Sequence, residues 1–155
     1  MSTTELFTED GARRVQELLT SWPDATEQAD ARKVATYWDY FERKRKAFDG
    51  TFAFGVRGAD GEVPAYVAVT FGDEGAASVR AAGEAEALDG AKLAIVASAE
   101  DWAALVAGYD IGKAMTYHKL PLRVGSAATM LRNAYLVHEL IVIFTRVAAG
   151  APVAA

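Results

Sequence analysis

The spacing of apolar residues changes period several times along the chain, and each change marks an element. Thr8, followed by Glu9 and Asp10, offers a capping hydroxyl and two acids for the positive end of a helix, and Val15, Leu18, Leu19 and Trp22 then recur at helical spacing up to Pro23. A second helix is expected from about Asp30 to Phe48, with Val34, Tyr37, Trp38, Phe41 and Phe48 near one stripe and Arg32, Lys33, Asp39, Glu42 and Arg43 largely elsewhere. Beyond Asp49-Gly50 the period drops to two. Phe52, Phe54 and Val56 alternate with Thr51, Ala53, Gly55 and Arg57, as in a strand with one buried face. Gly58-Ala-Asp60-Gly61 supplies a turn, and Ala65 to Phe71 a second strand with Val67, Val69 and Phe71 on one side. Gly72 to Gly75 turns again, Ala77 to Ala82 reads as a weaker third strand, Leu88-Asp89-Gly90 breaks it, and Lys92 to Ala97 forms a fourth. Links this short imply an antiparallel meander.

Helical signals return at Ser98. Ser98-Ala-Glu-Asp101 caps a helix that carries Trp102, Leu105 and Val106 to a stop at Gly108, and Asp110 caps a shorter one with Ile111, Ala114 and Met115 on one face. Leu122 to Val124, just after Pro121, is expected at a sheet edge, because proline cannot donate to a central ladder. Gly125-Ser126 then opens a long apolar C-terminal helix from Ala127 to about Val147, in which Arg132, Glu139 and Arg146 form a single polar stripe. The expected fold is α+β, an antiparallel meander sheet of about five strands covered by helices. Residues 1–155 read as one domain, with a helical part over 8–48, a sheet-containing part over 51–147 and a frayed tail over 148–155.

Composition narrows the function more than the fold. With 52% hydrophobic and 24% charged residues there is enough to bury, which excludes a disordered or collagen-like chain. A formal net charge of −5 argues against a nucleic-acid partner, since phosphate binding depends on clustered Lys and Arg. The absence of cysteine excludes disulfides, thiolate metal sites and cysteine nucleophiles, and suits a reducing compartment. Met1 to Phe7 lacks the basic start and apolar stretch of a secretory signal, so a cytoplasmic location is expected. The most apolar segment, Ala134 to Phe144, is interrupted by His138 and Glu139 and falls short of the roughly 20 apolar residues that span a bilayer.

The stretch Ser98-Ala-Glu-Asp-Trp102-Ala-Ala-Leu105-Val-Ala-Gly108-Tyr-Asp110-Ile-Gly-Lys-Ala-Met115, followed by His118-Lys-Leu-Pro-Leu-Arg-Val-Gly125 and an apolar helix, resembles the lipid-binding domain of the sterol carrier protein type 2 family. The order of elements is also the family's: strand, acid-Trp-x-x-Leu-x-x-Gly helix, short helix, Lys-Leu-x-x-x-Gly strand, C-terminal helix. The likeness covers roughly Thr51 to Val147 and departs from the family pattern at His118 and at Gly125-Ser126. It implies a non-catalytic domain with a hydrophobic tunnel between sheet and helices, holding a fatty acyl chain, acyl-CoA or a sterol-like molecule.

Guided by the resemblance, Trp102, Leu105, Met115, Leu131, Tyr135 and Ile141 are expected around the tunnel, with ordinary core packing as the alternative for each. His138 shares a helix sector with Leu131, Ala134, Ile141, Val142 and Thr145, away from the polar stripe. It is either a polar group inside the cavity beside Val142 or a neutral histidine hydrogen-bonded in the core. His118 is read as a helix C-terminal cap residue, and two histidines so placed make no zinc site. The run Arg43-Lys-Arg-Lys46 is either a solvated helix face or an attractor of coenzyme A phosphates or a membrane surface. No phosphate-binding glycine loop, dinucleotide fingerprint or nucleophile elbow occurs, and no cofactor is expected. The expected function is therefore a carrier for a hydrophobic ligand, with membrane contact that is transient. The alternatives are an enzyme acting on a polyketide- or steroid-like substrate through His138 or Tyr135, and an assembly protein whose apolar helix pairs with an oligomeric partner.

Overall fold

The computed structural model describes residues 3–58, 65–117 and 119–150. Its helices are α1 (Glu9–Thr20), α2 (Ala25–Gln28), α3 (Ala35–Ala47), α4 (Glu84–Leu88), α5 (Ala99–Val106), α6 (Ile111–Thr116), α7 (Ala127–Arg132) and α8 (Ala134–Ala148). The strands are β1 (Gly50–Arg57), β2 (Ala65–Phe71), β3 (Ala77–Ala82), β4 (Ala91–Ser98) and β5 (Leu122–Val124), joined in a five-stranded sheet of order β3-β2-β1-β4-β5.

Residues of period two lie where that pattern put them, but the sheet is mixed, not an antiparallel meander. β1 pairs antiparallel with β2, β2 with β3 and β4 with β5, whereas β1 and β4 run parallel. The cause is α4, a helix absent from the sequence reading. It packs Ala87 against Ala53, Tyr66, Ala94 and Val96 on the outer face of the sheet, so the chain crosses from the β3 edge to the far side of β1. Gly55 makes this face possible: a Cβ there would lie 2.7 Å from the Tyr66 ring, whose hydroxyl reaches Glu84 on α4 at 3.2 Å. As expected, β5 is an edge strand.

On the inner face the register sets Phe54 beside Val67 and Ile95, and Phe52 beside Val69 and Leu93. α8 rests directly on this face: Leu136, Leu140, Ile143 and Phe144 have no exposed surface, and the Phe144 ring stands 4.8 Å from that of Phe54. Each such side chain contributes roughly 1.5–3 kcal/mol gross by leaving water. α1 covers the other end with Val15, Leu18 and Leu19, and its Gln16 amide donates to Ala77 O at 2.8 Å and accepts from Val79 N at 2.6 Å, closing the β3 edge.

Two helices differ from expectation. α3 begins at Ala35, not near Asp30, because the Asp30 carboxylate accepts from the Arg32 amide at 2.9 Å and its guanidinium at 3.0 Å, fixing a turn that competes with the helix. The long C-terminal helix is broken into α7 and α8 at Asn133, which leaves helical geometry (φ −114°, ψ 20°) and donates from Nδ2 to Thr129 O at 2.9 Å. Among the described residues no helix is long and apolar enough to cross a membrane. Most of the turn expected over Gly58–Gly61, His118 as a cap, and residues 151–155 of the expected frayed tail lie outside the described residues; Ala148 closes α8.

Candidate functional site

The polar stripe expected along the last helix faces inward. Glu139 has no exposed surface, and its carboxylate accepts from Trp22 Nε1 at 3.1 Å, Lys33 Nζ at 3.1 Å, Tyr37 OH at 2.5 Å and His138 Nδ1 at 3.0 Å. One turn pair further on, Arg146 meets Asp24 at 2.7 Å and Glu27 at 3.7 Å, and Lys33 also binds Glu27 at 2.8 Å. The segment 22–33 thus lies over the stripe, and it does so because a buried charge is tolerated only when paired. Arg132, beyond the break at Asn133, stays exposed on α7.

The electrostatics follow from that packing. Burial pushes the Glu139 carboxyl up, but hydrogen bonds from His138 and Tyr37 and the Lys33 charge outweigh it and hold the group below its ordinary value. Burial likewise works against the Lys33 ammonium, and Glu27 and Glu139 more than compensate, raising it. The Tyr37 phenol is driven far up, first by burial and then by its bond to Glu139, so it remains a proton donor. An ionised carboxylate has no proton to give, so Nδ1 of His138 carries the hydrogen between them and Nε2 is the unengaged ring nitrogen.

His138 and Tyr37 close one end of an apolar cavity of about 440 Å³, lined further by Lys33, Gly112, Met115, Thr116, Leu131, Ala134 and Tyr135. Leu131 and Tyr135 are 70% and 45% exposed and form its mouth, where the Tyr135 ring lies 5.2 Å from Tyr37 and 4.9 Å from Tyr40. A second, more polar cavity of about 450 Å³ shares Lys33 and His138 and is walled by Leu105, Asp110, Val142 and Thr145 among others. A hollow of about 570 Å³ along Pro23, Asp30, Trp38 and Glu42 touches neither His138 nor Tyr37, so it lacks the polar anchor.

The residues singled out in the sequence fall into three groups. Met115, Leu131, Tyr135 and His138 line the first cavity, and Leu105, Val142 and again His138 the second. Trp102 and Ile141 line neither: both are fully buried, Trp102 against Phe7, Phe54 and Phe144 with Nε1 donating to Gly55 O at 2.9 Å. The first cavity is walled by helices and Lys33, with no strand residue among its walls, whereas the tunnel was expected between sheet and helices. Sequence reasoning missed Lys33, Tyr37 and Glu139. Their signal was the acid at position 139 inside an otherwise apolar run, which had to find a buried partner. Among the described residues no three His, Cys, Asp or Glu side chains converge to hold a metal ion.

A crystal structure of sterol carrier protein 2 superposes on this chain with a TM-score of 0.66, covering 91% of it and 98% of its own length at 22% identity. The fold is that of sterol carrier protein 2. A solution structure of a conserved hypothetical protein from Thermus thermophilus, described as possibly a sterol carrier protein, matches with a TM-score of 0.65 over 99% of this chain and 97% of that one, at 23% identity. No protein-family model matches the chain, and neither does a curated protein sequence. The structural likeness takes in more than the stretch from Thr51 to Val147: at this coverage it includes part of the N-terminal helical region.

Proposed function

We propose that the chain is a cytoplasmic carrier that binds a hydrophobic small molecule in the cavity between α3, α6, α7 and α8 and leaves it chemically unchanged. The observation that carries this reading is the cavity itself, about 440 Å³ of mainly apolar wall with the polar side chains of Lys33, Tyr37 and His138 among its lining. That size falls within the roughly 300–1,000 Å³ of small-molecule pockets. The sterol carrier protein 2 fold supports a ligand with a long apolar body, such as a fatty acyl chain, acyl-CoA or a sterol-like molecule. Burying an eight-carbon chain contributes roughly 6 kcal/mol before ordering costs, so affinities are micromolar rather than tighter.

The charges around the anchor refine the ligand. Glu139, Glu27, Asp24, Asp30 and Asp110 outnumber Lys33, Arg146 and Arg32, and each of these three cations already has a carboxylate partner. His138 Nε2 therefore meets a neutral hydroxyl on better terms than a carboxylate. Titration with a fluorescent long-chain alcohol and the fatty acid of equal length tests this. Saturable micromolar binding is expected, tighter for the alcohol and weakened about tenfold in His138→Gln. Absence of saturable binding by either probe contradicts the carrier reading.

A second reading rests on the His138–Glu139 pair. A buried carboxylate 3.0 Å from Nδ1 is the arrangement that orients a histidine for proton transfer, here toward a substrate in the same cavity with Tyr135 beside it. In that case His138→Gln retains ligand binding and abolishes turnover of the bound molecule.

A further inference from the structure

The apolar and the polar cavity share a partition. His138 and Lys33 line both, and α6 with its cap supplies the rest: Gly112 faces the apolar cavity, Asp110 and Ile111 the polar one. Gly112 has no side chain to hold the two apart, and a Cβ there would lie 3.1 Å from Asp110 Oδ1. The Asp110 carboxylate therefore stands close behind the wall of the apolar cavity, fixed by the Lys113 amide, which donates to its Oδ1 at 2.8 Å. The other acids of the polar cavity have cations of their own. Asp30 accepts two bonds from the Arg32 guanidinium, at 3.1 Å and 3.0 Å, and Glu27 pairs with Lys33 at 2.8 Å. Among the described residues no ion pair engages Asp110, and its cap bond uses Oδ1 alone. One carboxylate without a countercharge thus borders a site whose apolar part ends at His138.

We propose that the molecule carried is a long-chain amino alcohol, with its apolar chain between α3, α6, α7 and α8, its hydroxyl on His138 Nε2 and its ammonium in the polar cavity beside Asp110. This rests on the carrier reading and names the chemical class of the ligand. Each point of the site selects one group. Ionised Glu139 keeps the ring hydrogen of His138 on Nδ1, so Nε2 accepts from a hydroxyl. Asp110 carries a charge and only accepts, so a cationic donor satisfies it more fully than a neutral one. Because Asp110 is exposed, the ammonium beside it stays partly hydrated and is spared the cost of full burial. The same exposure keeps the gain modest, about threefold to fivefold in affinity.

Displacement of the fluorescent long-chain alcohol from the whole chain by two unlabelled competitors of equal length tests this: the plain alcohol, and the alcohol with an amino group on the neighbouring carbon. At neutral pH the amino alcohol should compete about threefold to fivefold better, by a margin that shrinks as salt is added. Asp110→Asn removes the charge and keeps the helix cap, because asparagine accepts the same amide bond. In that variant the amino alcohol should fall to the level of the plain one, and uptake of the fluorescent alcohol shows that the variant is folded. In Asp39→Asn, a matched loss of charge outside both cavities, the preference should persist. Equal competition in the unaltered chain, a preference that survives Asp110→Asn, or an equal loss in Asp39→Asn overturns the proposal. Saturable uptake of the fluorescent alcohol without any preference strikes the amino group alone and leaves the carrier reading standing. No uptake at all contradicts that reading and the inference resting on it.

Discussion

Glu139 is surrounded by donors from three separate stretches of chain, Trp22, Lys33 with Tyr37, and His138, so its charge ties the N-terminal helical part to α8. Glu139→Gln keeps the shape and removes the charge, and should lower stability by about 2–3 kcal/mol at neutral pH in urea unfolding. The cost stays below that of a fully orphaned charge because Glu27 still holds Lys33 at 2.8 Å. The pH dependence has a definite sign. Glu139 is held below its ordinary 4.5, so its contribution is complete above pH 4.5 and is lost as pH falls through the folded value. Lys33 and Tyr37 are held above 10.5 and 10.0, so theirs are complete below those values and are lost as pH rises further. Urea midpoints across pH should show a plateau between these limits, and in Glu139→Gln the acid limb should flatten while the alkaline limb moves less. At this scale the sequence displayed the groups but not their pairing. Nothing in a one-dimensional pattern links Glu139 to Lys33, more than a hundred positions earlier, or tells which side of the apolar helix the stripe faces.

Among the elements, alternation of large apolar residues with small or polar ones found β1 and β2, with Phe52, Phe54 and Val56 and Val67, Val69 and Phe71 on the inner face, although Ala53, Tyr66 and Ala68 on the outer face are buried as well; β5 was legible from Pro121 instead. Strand direction was not legible. It depends on where the chain goes between Gly83 and Gly90, and the only buried residue of α4 is Ala87, too small a signal to distinguish a crossover helix from a turn. The break at Asn133 was hidden for a related reason: Met130, Leu136, Val137 and Leu140 keep an apolar pattern on both sides of it. Helix caps were more readable, since Thr8, Ser98, Asp110 and Ser126 each accept from the amide three residues on, as their positions before apolar runs suggested. One unpredicted contact secures the sheet edge. Removing the Gln16 amide leaves Ala77 O and Val79 N unpaired in a part-buried setting, so Gln16→Ala should cost about 1–2 kcal/mol in thermal or urea unfolding. Hydrogen exchange should rise first at Val79, the amide that the glutamine side chain accepts from.

At the scale of the molecule, α8 separates two environments. Phe144 and Leu140 press on the sheet with no exposed surface, while Ala134 and His138 look into the helical cavity, so the helix is covered by its own chain on one side and left open on another. This division explains why the family resemblance read from residues 98–125 led to the right fold but not to the walls of the helical cavity. The loose apolar motifs report which elements exist; cavity walls depend on α3 and Lys33, which lie outside the stretch that carried the resemblance. Trp102 and Ile141 show the same limit, since apolar residues at helical spacing serve a core as readily as a cavity. The proposed carrier role requires a hydrophobic molecule to enter between α3, α6, α7 and α8. Amide spectra of isotope-labelled protein recorded as a long-chain alcohol is added test it most directly. Saturable shifts concentrated at Lys33, Tyr37, Met115, Leu131, Tyr135 and His138 are expected; shifts confined to sheet residues such as Phe54 and Ile95, or none that saturate, rule out a ligand there.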